Sequence, residues 1–263
     1  EIDVNYVILS GNEQKVVPIS KETFDAVVNN PRVIHWFMQN MDVYSRDLNH
    51  PKISPWPYGT NPKKMAFLAD ELLTQEPEKN ASIYKSGFSR ATNPQRRTIP
   101  YGPRVPITQY LQEMRASKYI LSPDGDRPEC YRHYEAIGMG SMPITQMDAK
   151  SHTHLGDNVI YNNTNWNLTS LEETLPKNPR VNRRLVFEEY WMEYVERIVG
   201  RPLRWYDPSR DVHSSLAEIQ YLVANDTFVP RDEVCVVANG TPFVGHRGPL
   251  QDFYAILKQE QKM

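Results

Sequence analysis

Apolar residues along this chain follow two rhythms. Short β-branched or aromatic runs alternate with stretches in which apolar positions return every three or four residues. The first run, Val4 to Leu9, ends in the polar turn Ser10-Gly11-Asn12-Glu13 and predicts a buried strand. Ser20 reads as the N-cap of a helix whose Phe24, Val27 and Val28 share one face, and Asn29-Asn30-Pro31 stops it. Arg32 to Phe37 is the next strand, closing on Gln39-Asn40. In Lys52 to Gly59 the prolines exclude helix and mark an edge strand or an irregular end. Pro62 opens a helix to Leu73 with Met65, Leu68, Ala69 and Leu72 at helical spacing.

The charged, proline-bearing stretch Gln75 to Asn80 has no periodicity and reads as a linker. Beyond it the same alternation resumes. Ile83-Tyr84-Lys85 is a strand that breaks at Gly87-Phe88-Ser89, and a basic loop with Arg90, Arg96 and Arg97 follows. Ile107 to Arg115 is a helix, Lys118 to Pro123 a strand, Cys130 to Met139 a helix and Met142 to Thr145 a strand. A long amphipathic helix is expected from Asn182 to Val199, where Tyr190, Trp191, Met192, Tyr194, Val195 and Ile198 read as a core face. The tail from Ser214 to Leu257 holds a late strand, Val234 to Val237, and two helices.

Strands alternating with helices predict parallel sheets joined by right-handed crossovers. The expected fold class is therefore α/β, with two Rossmann-like lobes and a cleft between them. Residues 1–76 form the first lobe on this reading, 80–200 the second, and 201–263 a tail packing back across both, since a lone strand cannot end unpaired.

Composition narrows the function classes. The 263 residues are 40% hydrophobic and 24% charged, as in an ordinary globular protein. A formal net charge of -2 lacks the basic excess of a nucleic-acid binder. Cys130 and Cys235 are too few for a disulfide framework and read as buried thiols. No apolar run reaches the roughly 18 residues that cross a bilayer, so the expected location is cytoplasmic. Glu1 stands where an initiator Met would, and sequons begin at Asn80, Asn162, Asn167, Asn225 and Asn239; removal of an N-terminal anchor would make the Golgi or ER lumen the alternative.

Ligands of open parallel sheets bind beyond the carboxyl ends of the strands, which nominates the loops Ser10 to Glu13, Gln39 to Asp42, Gly59 to Asn61, Gly87 to Ser89, Pro123 to Asp126 and Gln146-Met147. The most informative stretch runs from Lys118 to Ile144: apolar strand, Ser122-Pro123, Gly125, then Cys130, Tyr131, Arg132, Glu135-Ala136, a glycine and Pro143-Ile144. This order resembles the nucleotide-sugar-binding signature of the exostosin family of glycosyltransferases. Two more pieces resemble it in the same order: Trp36 to Asn40 leading to His50 to Gly59, and Gly87-Phe88-Ser89 leading to Thr92 to Arg97. The nearest likeness is to the short bacterial and large algal virus forms. Gly87 stands where the family often has Asn, and Tyr131 where it often has His.

The resemblance implies an inverting, two-lobed (GT-B type) transferase that moves a sugar from a UDP-sugar to a hydroxyl of a glycan or glycoprotein acceptor, with no essential metal. Relatives use UDP-linked xylose, galactose, arabinose or glucuronic acid, and xylose is the sugar favoured here. Donor contacts are implied for Phe88, Ser89, Arg96, Arg97, Pro123, Gly125, Tyr131 and Arg132, with Glu135 clasping the ribose hydroxyls. Elementary chemistry agrees for Arg132: a departing nucleotide diphosphate gathers negative charge, which fixed cations and helix N-termini stabilise. A base must also take the acceptor proton. Glu13 and Asp42 are ranked first for that role, ahead of His35 and His50.

Other readings compete. Asp124-Gly125-Asp126 has the spacing of a divalent-metal motif in metal-dependent sugar transferases, although Asp-Gly mainly signals a turn. His152, His154 and Asp157 are read as a solvated loop before a metal site. A non-catalytic carbohydrate- or nucleotide-binding module is the alternative outside the enzymes. A dinucleotide oxidoreductase would carry Gly-x-Gly-x-x-Gly after its first strand, and this chain does not.

Overall fold

The computed structural model describes residues 5–10, 21–39, 50–60, 78–87, 96, 98–125, 127–162, 166–186, 188–200 and 235–239. The elements are, in chain order, β1 (Tyr6–Ser10), α1 (Lys21–Val28), β2 (Val33–Met38), β3 (Ile53–Pro55), β4 (Ala81–Tyr84), α2 (Ile107–Ala116), β5 (Ser117–Leu121), α3 (Tyr131–Gly138), β6 (Met142–Thr145), β7 (Ile160–Tyr161), α4 (Leu168–Thr174), α5 (Glu188–Val199) and β8 (Cys235–Asn239). Short 3₁₀ turns cover Thr153–Asn158 and Arg183–Val186. The chain divides into two compact units, one of Glu1–Pro57 with Trp191–Met263 and one of Tyr58–Tyr190. Each contains one four-stranded sheet in which every pairing is parallel, so the α/β class and its Rossmann-like character hold.

In the first unit the strand order is β3-β2-β1-β8. Alternation along β2 divides its side chains between the two faces of the sheet. Trp36 and Met38 join Val28 and Ile53, with Ile8, Phe24 and Val27 against them. Phe37 points the other way, its ring 6.0 Å from Trp56 and 5.9 Å from Tyr194. Trp191 lies 6.4 Å from Trp56 and is fully buried, as is Val195. Trp191, Tyr194 and Val195 of α5 are thus core, as their spacing predicts, whereas Tyr190 and Met192 are half-buried and Ile198 is 41% exposed. The late strand predicted at Val234 to Val237 is β8, paired with β1 in register from Tyr6↔Cys235 to Ser10↔Asn239.

In the second unit the order is β4-β5-β6-β7. Tyr119 and Leu121 of β5 face a cluster with Ile99, Met142, Ile144 and Leu171, while Ile120 between them faces Leu111, Met114, Ala136 and Met139. A strand buried on both faces needs this continuous apolar run. At the amino ends of β5 and β6, Lys79 Nζ donates to the carbonyls of Arg115 and Met139 and to Ser141 Oγ, at 2.8, 2.9 and 2.8 Å. One ammonium group therefore closes the C-terminal ends of both α2 and α3, where the backbone dipole is negative.

Two expectations are corrected. The single helix from Asn182 to Val199 is a 3₁₀ turn, Arg183–Val186, followed by α5. Leu185 and Val186 are fully buried and Arg183 Nε donates to Gly138 O at 2.9 Å, so tertiary contacts hold the turn out of helical phase. The stretch His152 to Asp157 is not a solvated loop: His152 is fully buried and His154 is 7% exposed, and only Asp157 of the three is exposed. The expected helix from Pro62, the Ser20 cap and the two tail helices lie outside the described residues.

Candidate active site

The site assembles at the carboxyl ends of β4, β5 and β6 in the second unit. Leaving β5, the chain turns sharply: Ser122 N–H donates to Ile144 O at 2.8 Å, Asp124 N–H to Gln146 Oε1 at 3.3 Å and Gly125 N–H to Arg127 O at 2.7 Å. A side chain at Gly125 would crowd this turn, since a Cβ there would lie 3.3 Å from both Arg127 O and Arg96 Nη2. Arg96 is 5% exposed and its Nε donates to the Asp124 carbonyl, which brings a residue from the distant basic loop onto the glycine turn.

Helix α3 then starts beneath the turn. Cys130 is its N-cap residue, in extended backbone at φ -145°, and the ring of His133 folds back over it. His133 Nδ1 lies 3.0 Å from Cys130 N and 3.4 Å from Sγ, while Nε2 reaches Ser122 O at 3.1 Å and Thr145 Oγ1 at 2.9 Å. His133 thereby ties the helix start to the ends of β5 and β6. Burial pushes the Cys130 thiol up, but His133 and then Arg132 outweigh it and bring the pKa down to about 6. Burial lowers and Cys130 raises the His133 pKa, with a net rise.

Arg132 and Glu135 lie one turn apart on α3, both against α2. Tyr110 OH of α2 donates to Glu135 Oε2 at 2.7 Å. Burial alone would make the Arg132 guanidinium easier to deprotonate, yet the negative ends of Cys130, Tyr110 and Glu135 raise its pKa further, so it stays a fixed cation.

A second network supports the approach to α3. Glu129, fully buried, accepts from His154 Nε2 at 3.0 Å and from Tyr134 OH. Burial raises its pKa, but His154, then His152 and Tyr134, draw it down to about 2, so the carboxylate is ionised. His152 Nδ1 donates to Asp148 O at 2.9 Å. Among the described residues no group of three or more His, Cys, Asp or Glu has the arrangement of a metal site.

Of the residues nominated from sequence, the second unit brings Arg96, Pro123, Gly125, Tyr131, Arg132 and Glu135 to one loop and helix start. Phe88, Ser89, Arg97 and Asp126, with Glu13 and Asp42, lie outside the described residues. His35 and His50 belong to the first unit. His35 Nε2 is 2.8 Å from Ser54 Oγ, and burial, helped by His50, lowers its pKa to about 4, so this imidazole is neutral at physiological pH. Sequence reasoning missed Tyr110, Tyr58 and Arg127. Arg127 lay in plain view as a second cation in the glycine loop, whereas Tyr110 reads only as part of an amphipathic helix.

Among described residues, no helix is long and apolar enough to cross a membrane. No curated protein matches the chain. The family model of the RXYLT1 C-terminal domain does match, over residues 89–174, about a third of the chain. The matched segment holds Arg96, the Gly125 turn, Arg132 and Glu135.

Proposed function

We propose that this chain is a glycosyltransferase of the exostosin-like, GT-B type that transfers a sugar, with xylose favoured, from a UDP-sugar to a hydroxyl of a glycan acceptor with inversion. The observation that carries this reading is the coincidence of the matched segment with a half-buried cation, Arg132, and a buried carboxylate, Glu135, side by side at the start of the helix after the glycine turn.

In this scheme Arg132 and the amino end of α3 face the diphosphate, and Glu135 accepts from the ribose. The acceptor oxygen attacks the anomeric carbon while the bond to the UDP oxygen breaks. The electron pair goes to the diphosphate, where fixed positive charge is worth most because water is excluded. Glu13 or Asp42 takes the acceptor proton, which leaves neutral glycoside and UDP. No essential metal enters the scheme, because side-chain cations supply the charge.

Calorimetric titration with UDP and with UDP-xylose, UDP-galactose, UDP-arabinose and UDP-glucuronate, with and without chelator, tests it. The expected result is chelator-insensitive binding that drops at least tenfold in Arg132→Ala and in Glu135→Ala, tightest for UDP-xylose. Product formed by the best donor should carry the opposite anomeric configuration by NMR. Absence of uridine nucleotide binding, or binding unchanged in both variants, would sink the assignment and favour a binding module for another ligand.

A further inference from the structure

Arg127 follows the glycine turn by two residues and is only 4% exposed. Its surroundings in the second unit are unusual for a buried cation. Nη1 is 3.3 Å from Tyr58 OH, and the guanidinium stands 5.3 Å from the centre of the Tyr58 ring. Nε is buried with no hydrogen-bond partner, and among the described residues no carboxylate pairs with the side chain. A guanidinium taken out of water without a counter-charge is costly, and native proteins keep such groups where an anion completes them.

The anion has an evident place. Arg127 O accepts the Gly125 N–H at 2.7 Å, so the residue is locked to the turn that Arg96 braces from its other side. Tyr58, which orients Nη1, has its ring 4.7 Å from that of Tyr131, the first residue of α3. The cation is thus held rigidly by an aromatic pair next to a helix start. A planar fork with open donors suits phosphate oxygens.

From this geometry we propose that Arg127 is a phosphate-binding residue, a further fixed cation for the diphosphate of the nucleotide donor. The inference rests on the donor site described above and extends it to a residue outside the sequence signature. Tyr58 acts through Arg127 as a positioning residue.

The test titrates the full chain with uridine, UDP and inorganic pyrophosphate, in wild type, Arg127→Gln, Arg127→Lys and Tyr58→Phe, with thermal melts to check folding. Uridine should bind equally in all four. The gain in affinity from uridine to UDP should fall at least tenfold in Arg127→Gln, be partly restored in Arg127→Lys and fall several-fold in Tyr58→Phe, and pyrophosphate binding should weaken in the same order. Should Arg127→Gln not fold, the Lys and Phe variants decide by the same ratio. An unchanged gain, or an equal loss for uridine and UDP, overturns the proposal. If wild type binds neither uridine nor UDP, the glycosyltransferase reading falls, and pyrophosphate alone decides for Arg127: binding lost in Arg127→Gln upholds a phosphate site, and no binding or no change overturns it.

Discussion

At the scale of single residues, Cys130 Sγ lies 3.4 Å from His133 Nδ1 at the start of α3. With the thiol drawn down to about 6, Cys130 is mostly thiolate at neutral pH, as cysteines at helix starts beside cations become. Alkylation of Cys130 by iodoacetamide, followed by peptide mass mapping, should show a midpoint near pH 6, and His133→Gln should move it toward the ordinary thiol value of about 8.5. A midpoint already near the ordinary value in the wild type would show that the pair does not form. The family resemblance singled out Arg132 and Glu135, and their spacing of three on a helix puts them on one face. Tyr110, their neighbour, was not legible. Its hydrogen bond spans 25 positions and depends on how α2 docks against α3, which no local pattern encodes.

Elements were more readable than their ends. Strand β5 announced itself by an apolar run, and α3 by the glycine loop before it. Helix α4 was not legible even though Asn167 is an N-cap of the favoured type, its Oδ1 accepting from Ser170 N–H at 3.1 Å; the same residue also opens a sequon, which accounts for an Asn there without any helix. How elements are pinned to one another was hidden as well. Lys79→Met removes three charge-assisted hydrogen bonds from the ends of α2 and α3 and should cost about 2–3 kcal/mol in urea unfolding, allowing for the half-exposed side chain. A change below about 0.5 kcal/mol would mean that water serves those carbonyls equally well.

His35 joins β2 to β3 through Ser54 and gives the first unit a defined acid response. Its folded pKa, about 4, lies below the unfolded value of 6.5, so the folded state binds fewer protons. Stability from this residue is therefore complete above pH 6.5 and is lost as pH falls through 4, a change of about 3 kcal/mol. Urea midpoints measured from pH 7 to pH 4 should fall accordingly, and His35→Phe should flatten that slope. An equal slope in the variant would assign the acid sensitivity elsewhere.

At the scale of the whole molecule, the alternation of strands and helices was enough to give two parallel sheets, because crossover connections leave few arrangements of such a pattern. The partner of β1 on its far side was not readable. Nothing local to Cys235–Asn239 says that it extends the sheet started by Tyr6–Ser10. Deleting residues 230–263 should strip hydrogen-exchange protection from the β1 amides while leaving those of β5 protected, since β5 pairs only within Tyr58–Tyr190. Equal loss in both strands would make the two units one cooperative block.

The pairing of β1 with β8 also sets a clock for biosynthesis. More than two hundred residues separate Ser10 from Cys235, and ribosomes add roughly 5–20 residues per second. Strand β1 thus waits on the order of ten to forty-five seconds for β8, its edge on that side open to any passing strand meanwhile. Nascent chains are accordingly exposed to mispairing at β1, where a chaperone that shields strand edges would do the most good.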